Sequence, residues 1–190
     1  MSTSTAKQAT EFSNPNLVPL YSEEEIAGRV RELGAQITAE YAGKDLYIIG
    51  VLKGSCIFMA DLIRHIDLPM EIDFMAVSSY KDGQKSTGDV EIIKDLMKPI
   101  RDKDVIVVED IVDTGLTLTR LVELLDTRGA ASIRLASLLD KPEPRIAKQL
   151  KVDYTGFQIP NKFVVGYGLD AAGRYRNLPF IAVVIDPSAV

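Results

Sequence analysis

The chain has 190 residues, 46% hydrophobic and 26% charged, with a formal net charge of -5 and a single cysteine, Cys56. That much apolar material builds one soluble globular domain and excludes a chain disordered throughout. An acidic total without a dense Lys/Arg block speaks against nucleic-acid or membrane-surface binding, and one cysteine precludes an intrachain disulfide, so the expectation is a cytoplasmic protein that handles a small molecule.

The opening "MSTSTAKQATEFSNPN" lacks the apolar core of a secretory signal and is expected to be a disordered tail over residues 1–16, ahead of a single domain over 17–190. Ser22 and three following glutamates begin a helix that runs to Tyr41, with Ile26, Val30, Leu33 and Ile37 three and four residues apart. "LYIIGVL" (46–52) is a buried strand. After "KGS", the segment "CIFMADLIRHI" (56–66) has helical spacing, with Cys56 as a packed, inert thiol and His65 as a partner for the helix's C-terminal dipole. "EIDFMAVSS" (71–79) alternates as a strand and leads into a polar, mobile loop, "YKDGQKSTGD" (80–89). "EIIKDL" and "VIVV" (105–108) are strands. Leu118, Leu121, Val122 and Leu125 form one face of a helix ending at Gly129, and "SIRLASLLD" (132–140), "FVVGYGL" (163–169) and "FIAVVI" (180–185) are further strands. No apolar run reaches the roughly 18 residues of a membrane span.

This alternation describes an α/β domain with a mainly parallel sheet. Ligands of such sheets bind beyond the carboxyl ends of the strands, where the strand-to-helix loops converge. Those loops are 52–55, 109–117, 140–145 and 169–176.

Within "VIVVEDIVDTGLT" (105–117), Asp113 and Thr114 precede Gly115 and the start of a helix, whose first amides lack intrahelical partners and attract an anion. Thr114 and Thr117 add hydroxyl donors, and Gly115 admits close backbone approach. Glu109 and Asp110 offer acceptors for a pair of sugar hydroxyls, or for a Mg²⁺ that neutralises them. A phosphate beside hydroxyls describes a ribose 5-phosphate. The bland alternative places Glu109 and Asp110 in a solvated turn and makes Asp113 a helix cap. An aspartic-protease reading of Asp-Thr-Gly is remote, because the motif occurs once, opens a helix and lies in a chain without an all-β pattern.

The same segment resembles the phosphoribosyl-pyrophosphate (PRPP) signature of the type I phosphoribosyltransferases. "VLKGSCIFMADL", "DFMAVSSY", "ASLLDKP" and "GFQIPNKFVVGYGLDAAGRYRNLP" narrow the resemblance to the hypoxanthine phosphoribosyltransferases, over residues 20–186. It implies the type I phosphoribosyltransferase fold, with a mainly parallel central sheet flanked by helices and a small hood built from the N- and C-terminal segments. It implies transfer of the 5-phosphoribosyl group of PRPP to hypoxanthine or guanine, giving IMP or GMP and pyrophosphate in purine salvage, with two Mg²⁺ ions and a homodimer or homotetramer. By position, Glu109 and Asp110 take the ribose hydroxyls and a Mg²⁺, and Asp113 meets purine N7 as the proton-transfer group. Asp113, Thr114, Gly115, Leu116 and Thr117 hold the 5-phosphate. Lys53, Gly54 and Arg176 bind pyrophosphate, with a cis peptide expected at Leu52–Lys53. Lys141 reaches the purine oxo group, Phe163 stacks on the ring, Val164 meets its opposite edge, Asp170 takes the second Mg²⁺, and Ser79 and Tyr80 begin a closing loop.

Two departures stand out. "AAGRY" after Asp170 lacks the bulkier residues often found there, which leaves the preference among hypoxanthine, guanine and xanthine open, and Lys53 stands where some bacterial relatives carry arginine. The rivals are a PRPP-sensing regulator that binds RNA or DNA, and a uracil or orotate transferase.

Overall fold

Strand β1 (Leu17–Tyr21) leads into α1 (Glu23–Glu40), which Ser22 starts with a reciprocal cap: the Glu25 amide donates to Ser22 Oγ (3.2 Å) and the Ser22 amide to Glu25 Oε2 (2.8 Å). The structure is a computed structural model that describes residues 11–79 and 90–189. Ile26, Val30, Leu33 and Ile37 form the buried stripe of α1, and Gly34 lies within it. A side chain at Gly34 would run into the backbone of His65, so this glycine sets how closely the two segments pack.

Strand β2 (Leu46–Leu52) is buried along nearly its whole length, then α2 (Cys56–Ile63) buries Phe58, Met59 and Leu62. The helix is shorter than its apolar pattern, ending three residues before Ile66. His65 therefore lies beyond the helix, and its backbone packs on α1. Cys56 corrects the expectation of a packed thiol: it is exposed, because it opens the helix from the loop side while the buried stripe begins at Phe58.

Strands β3 (Met70–Ser79), β4 (Val90–Lys94), β5 (Asp104–Val112), β6 (Ser132–Asp140) and β7 (Tyr154–Gln158) join β2 in one six-stranded sheet, ordered β4-β3-β2-β5-β6-β7. Only β4 is antiparallel to its neighbour. Alternation along β5 sends Ile106 and Val108 towards α1 and α2, and Val105 and Val107 towards α3 (Leu116–Asp126) with its buried Leu118, Leu121 and Leu125. The sheet thus has one core on each face, as an α/β layer structure requires.

A second sheet, β1-β9-β8, joins the N-terminal strand to β8 (Val164–Val165) and β9 (Ile181–Val184) in antiparallel pairs. The expected long strand over 163–169 is only two residues, since the chain turns where Gly166 (φ 99°), Tyr167 (φ 50°) and Gly168 (φ 101°) follow one another. Within the segment expected to be a tail, Glu11–Ser13 form a 3-10 turn, Asn14 Nδ2 donates to the Tyr175 hydroxyl (3.1 Å), and the Asn16 side chain clasps the Asp186 backbone, Nδ2 donating to the carbonyl and Oδ1 accepting from the amide (2.8 Å each). Residues 1–10 lie outside the described residues.

Candidate active site

The carboxyl ends of β2, β5 and β6 lie side by side, and the loops that leave them bring the candidate residues together. Strand β5 does not stop before its acids. It runs through Glu109, Asp110 and Ile111 to Val112, because β6 pairs alongside as far as Asp140. The acids are therefore held on a rigid strand and not in a solvated turn.

Among the described residues Glu109 has the most desolvated carboxylate. Burial first, and the charge of Asp110 second, push its pKa well above the carboxylate range, and its buried Oε2 has no hydrogen-bond partner among the described residues. Burial also raises Asp110, although the Ile111 amide donates to it (2.8 Å) and Arg176 opposes the rise. The orphaned oxygen and two mutually repelling acids form a donor set short of a cation or hydroxyl donors, which fits the groups expected there.

This has a consequence for stability. A carboxylate whose native pKa lies above its unfolded value favours folding below the unfolded value, and that contribution is lost as pH rises through the native pKa. The melting temperature of the ligand-free protein is expected to fall over that interval. Glu109→Gln should flatten the fall and raise the neutral-pH melting temperature, on a scale of about 2–4 °C per kcal/mol for a domain of this size. Thermal unfolding at a series of pH values checks this, and an unchanged slope in the variant would clear Glu109 of the effect.

After Val112 the chain turns through Asp113 and Thr114 to Gly115, which holds φ 78° as the cap of α3 without any side-chain capping bond. That removes the alternative in which Asp113 serves as the helix cap. Asp113 is half exposed. A cavity of about 210 Å³ lies here, lined by Glu109, Ile111 to Gly115, Thr117 and Leu118. Beside it a second cavity of about 230 Å³ is lined by Asp110, Ile111, Asp113, Lys141, Phe163, Val164, Leu169 and Asp170. Lys141 follows β6 directly, is 6% exposed, and places its Nζ 3.9 Å from Asp113 Oδ2, so it is not a surface residue of a charged loop. Phe163, at 44% exposed, has ring surface left uncovered.

The loop after β2 begins with the cis peptide Leu52–Lys53, as expected, and is tied back by Ser55 Oγ donating to the Val51 carbonyl (2.7 Å). Gly54 lies against Asp110: a side chain there would collide with the Asp110 carboxylate, while one at Gly168 would collide with the Gly54 carbonyl. Arg176 pairs with Asp170 (2.6 Å) and donates to the Gly168 carbonyl (2.6 Å), and the Gly173 amide donates to the other Asp170 oxygen (2.8 Å). The loop with Lys53 and Gly54, the acids of β5 and the turn with Asp170 and Arg176 therefore meet. Among the described residues no three acidic, histidine or cysteine side chains converge as a metal cluster, so Glu109, Asp110 and Asp170 do not make a complete ion site unaided.

Ser79 ends β3, while Tyr80 and the rest of the expected closing loop lie outside the described residues. Leu116 begins α3 but does not line the cavity at its start. Sequence reasoning missed Ile111 and Leu169, both lining the second cavity. The signal for Ile111 was available, since it directly follows the two acids Glu109 and Asp110 on the strand. Among the described residues no helix is long and apolar enough to cross a membrane.

The family model of the phosphoribosyl transferase domain matches residues 19–172. A hypoxanthine-guanine phosphoribosyltransferase of Bacillus subtilis is 55% identical over 165 residues, covering 87% of this chain and 91% of the relative, and one of Streptococcus mutans is 53% identical over the same shares. A crystal structure of a hypoxanthine phosphoribosyltransferase from Staphylococcus aureus superposes with a TM-score of 0.87 at 50% identity, covering 90% of this chain and 92% of that one. The chain belongs to the phosphoribosyltransferase family, and within it to the hypoxanthine phosphoribosyltransferases.

Proposed function

We propose that this protein is a purine-salvage enzyme of the cytoplasm, acting as a homodimer or homotetramer, that moves the 5-phosphoribosyl group of PRPP to N9 of hypoxanthine or guanine. The products are IMP or GMP and pyrophosphate. One observation carries the proposal: two adjoining cavities share Ile111 and Asp113, one opening on a helix start with hydroxyls and the other lined by a buried lysine and an open phenylalanine ring. The first suits a phosphate, and the second suits a flat ring with an oxo group.

In this scheme the amides and hydroxyls from Asp113 to Thr117 receive the 5-phosphate, and Glu109 and Asp110 accept from the ribose hydroxyls. Lys141 donates to the purine oxo group, Phe163 covers the ring face and the Val164 backbone meets the far edge. Asp113 accepts the proton that the purine sheds at N7 as N9 becomes the nucleophile. Lys53, Gly54 and Arg176 receive the departing pyrophosphate. Glu109 and Asp110 would hold one Mg²⁺ and Asp170 the second. The small number of carboxylates suits Mg²⁺, which characteristically takes much of its coordination from water and substrate oxygens. When bound, the ions neutralise charge on the leaving group.

The test is an ultraviolet assay with PRPP and Mg²⁺, offering hypoxanthine, guanine, xanthine, adenine and uracil separately, with and without a chelator. Turnover of an oxopurine that the chelator stops is expected. PRPP binding with no base consumed would replace the enzyme with a PRPP-sensing regulator.

A further inference from the structure

We propose that Arg145 is a positioning residue which, paired with Asp140, holds the phosphate-binding turn in its working conformation; this rests on the function proposed above. Arg145 lies in the loop after β6 and does not line either cavity of the site. Its Nε donates to the Asp113 carbonyl (2.9 Å), and one terminal nitrogen donates to the Val112 carbonyl (3.2 Å) and to Asp140 Oδ1. The next two residues continue the pattern, since the amides of Ile146 and Ala147 both donate to the Thr114 carbonyl (3.0 Å each). Three successive carbonyls of the turn are thereby drawn to one side.

In a trans peptide the carbonyl of one residue and the amide of the next point in opposite directions. Fixing the carbonyls of Val112, Asp113 and Thr114 therefore aims the amides of Asp113, Thr114 and Gly115 the other way. Among the described residues, those lining the 210 Å³ cavity fall within 109–118 and none comes from 145–147, so the amides face the cavity side. The brace lies behind the cradle.

Two further features tie this brace to chemistry. Gly115 carries φ 78°, and a side chain on it would crowd Leu150 (2.9 Å) and Arg145 Cδ (3.1 Å), so the glycine is what lets the braced segment lie against the turn. The Val112 carbonyl also accepts from the Lys141 amide (2.9 Å). One carbonyl thus registers the base-side lysine and the phosphate turn together. The ion pair itself is shielded, with 9% of the Arg145 side chain and 10% of the Asp140 side chain exposed. Arginine suits the position because its planar fork serves several acceptors at once, which a lysine ammonium on a flexible stem does less well.

The test measures kinetic constants for PRPP, IMP and pyrophosphate in the wild-type chain and in Arg145→Met and Arg145→Lys. A loosened cradle weakens ligands that end in a 5-phosphate. Pyrophosphate, assigned to Lys53, Gly54 and Arg176, should be indifferent. Arg145→Met is expected to raise KM for PRPP and for IMP about tenfold or more, with a smaller change in kcat and less than about a twofold change in KM for pyrophosphate. Arg145→Lys should restore part of the loss, and it carries the same comparison if the methionine variant does not fold. With an active wild type, unchanged constants in both variants, or a rise shared equally by all three ligands, would overturn the positioning role alone. A wild type inactive with PRPP would overturn the proposed function and this role with it.

Discussion

Gly54→Ala is expected to lower kcat/KM for PRPP by about 100-fold or more while the protein still folds, because a displacement of about 1 Å at a reacting centre has that effect. The added Cβ would occupy the space of the Asp110 carboxylate. The strand backbone on either side of Asp110 is held by β6, which pairs with Glu109 and Ile111 after the pairing with β2 has ended at Val108. Asp110 must instead rotate its side chain, which gives up the bond from the Ile111 amide and moves the carboxylate away from the position proposed for the ribose. Activity is lost here through displacement of a neighbour and not through loss of a functional group. Steady-state kinetics with a melting curve for the folded state would check this. Near-normal kcat/KM would mean that Asp110 tolerates the rotation and that its position is not set by the glycine.

Asp113→Asn should act on a different constant. The amide keeps the shape of the carboxylate but cannot accept the N7 proton, so kcat is expected to fall by about 10²- to 10⁴-fold, the range attributed to general acid–base catalysis. PRPP affinity, measured by binding in the absence of a purine, should change only a few-fold, since the proposed scheme holds the 5-phosphate mainly by the turn's amides and hydroxyls. The lost pairing with Lys141 is a long one of 3.9 Å to a half-exposed carboxylate and contributes little. Turnover close to that of the wild type would remove Asp113 from proton transfer. Different profiles in the two variants, one losing kcat/KM through a misplaced neighbour and the other losing kcat with PRPP binding kept, would separate geometry from chemistry at neighbouring acids.

Much of the frame was legible because its signals are local. The Ser22 cap, the spacing of Ile26, Val30, Leu33 and Ile37, and the uniform apolar run of β2 each report their own element. What was not legible depends on partners far along the chain. The last four residues of β5 are strand only because β6 runs beside them, and no local pattern in Glu109 to Val112 announces that. Strand β1 contains Pro19 and owes its assignment to antiparallel pairing with β9, at least 160 residues away in sequence. Strand β7 contains Gly156, whose missing side chain lets it approach the Leu138 carbonyl, a tertiary requirement that reads locally as a strand breaker.

The site divides in the same way. The turn that opens α3 was readable because Asp-Thr-Gly and a helix start are contiguous, and the gathering of Lys141, Phe163 and Val164 on one cavity was readable only through family resemblance. Lys141 looks like surface in a charged, proline-containing loop, yet the fold buries it. Arg145, four residues on, carried no signal at all, since its role arises from carbonyls that precede it by more than 30 residues.

The polar groups that hold the other end of the sheet lie where no ligand is expected. Lys103 joins Asp45 and Glu71 at the starts of β5, β2 and β3, and Arg134 joins Glu40 and Tyr154 near the starts of β6 and β7. Strand direction therefore sorts the molecule into two populations of positions under mutation. A loss at the amino ends is a loss of stability, which a better-packed core residue anywhere in the domain can make good. A loss at the carboxyl ends is one of geometry, and only a change within the same few ångströms can restore it. Variation that alters base preference without endangering the fold should accordingly accumulate in the segments after β6 and β8, where the proposed contact with the base is separated from the contacts that keep the sheet together.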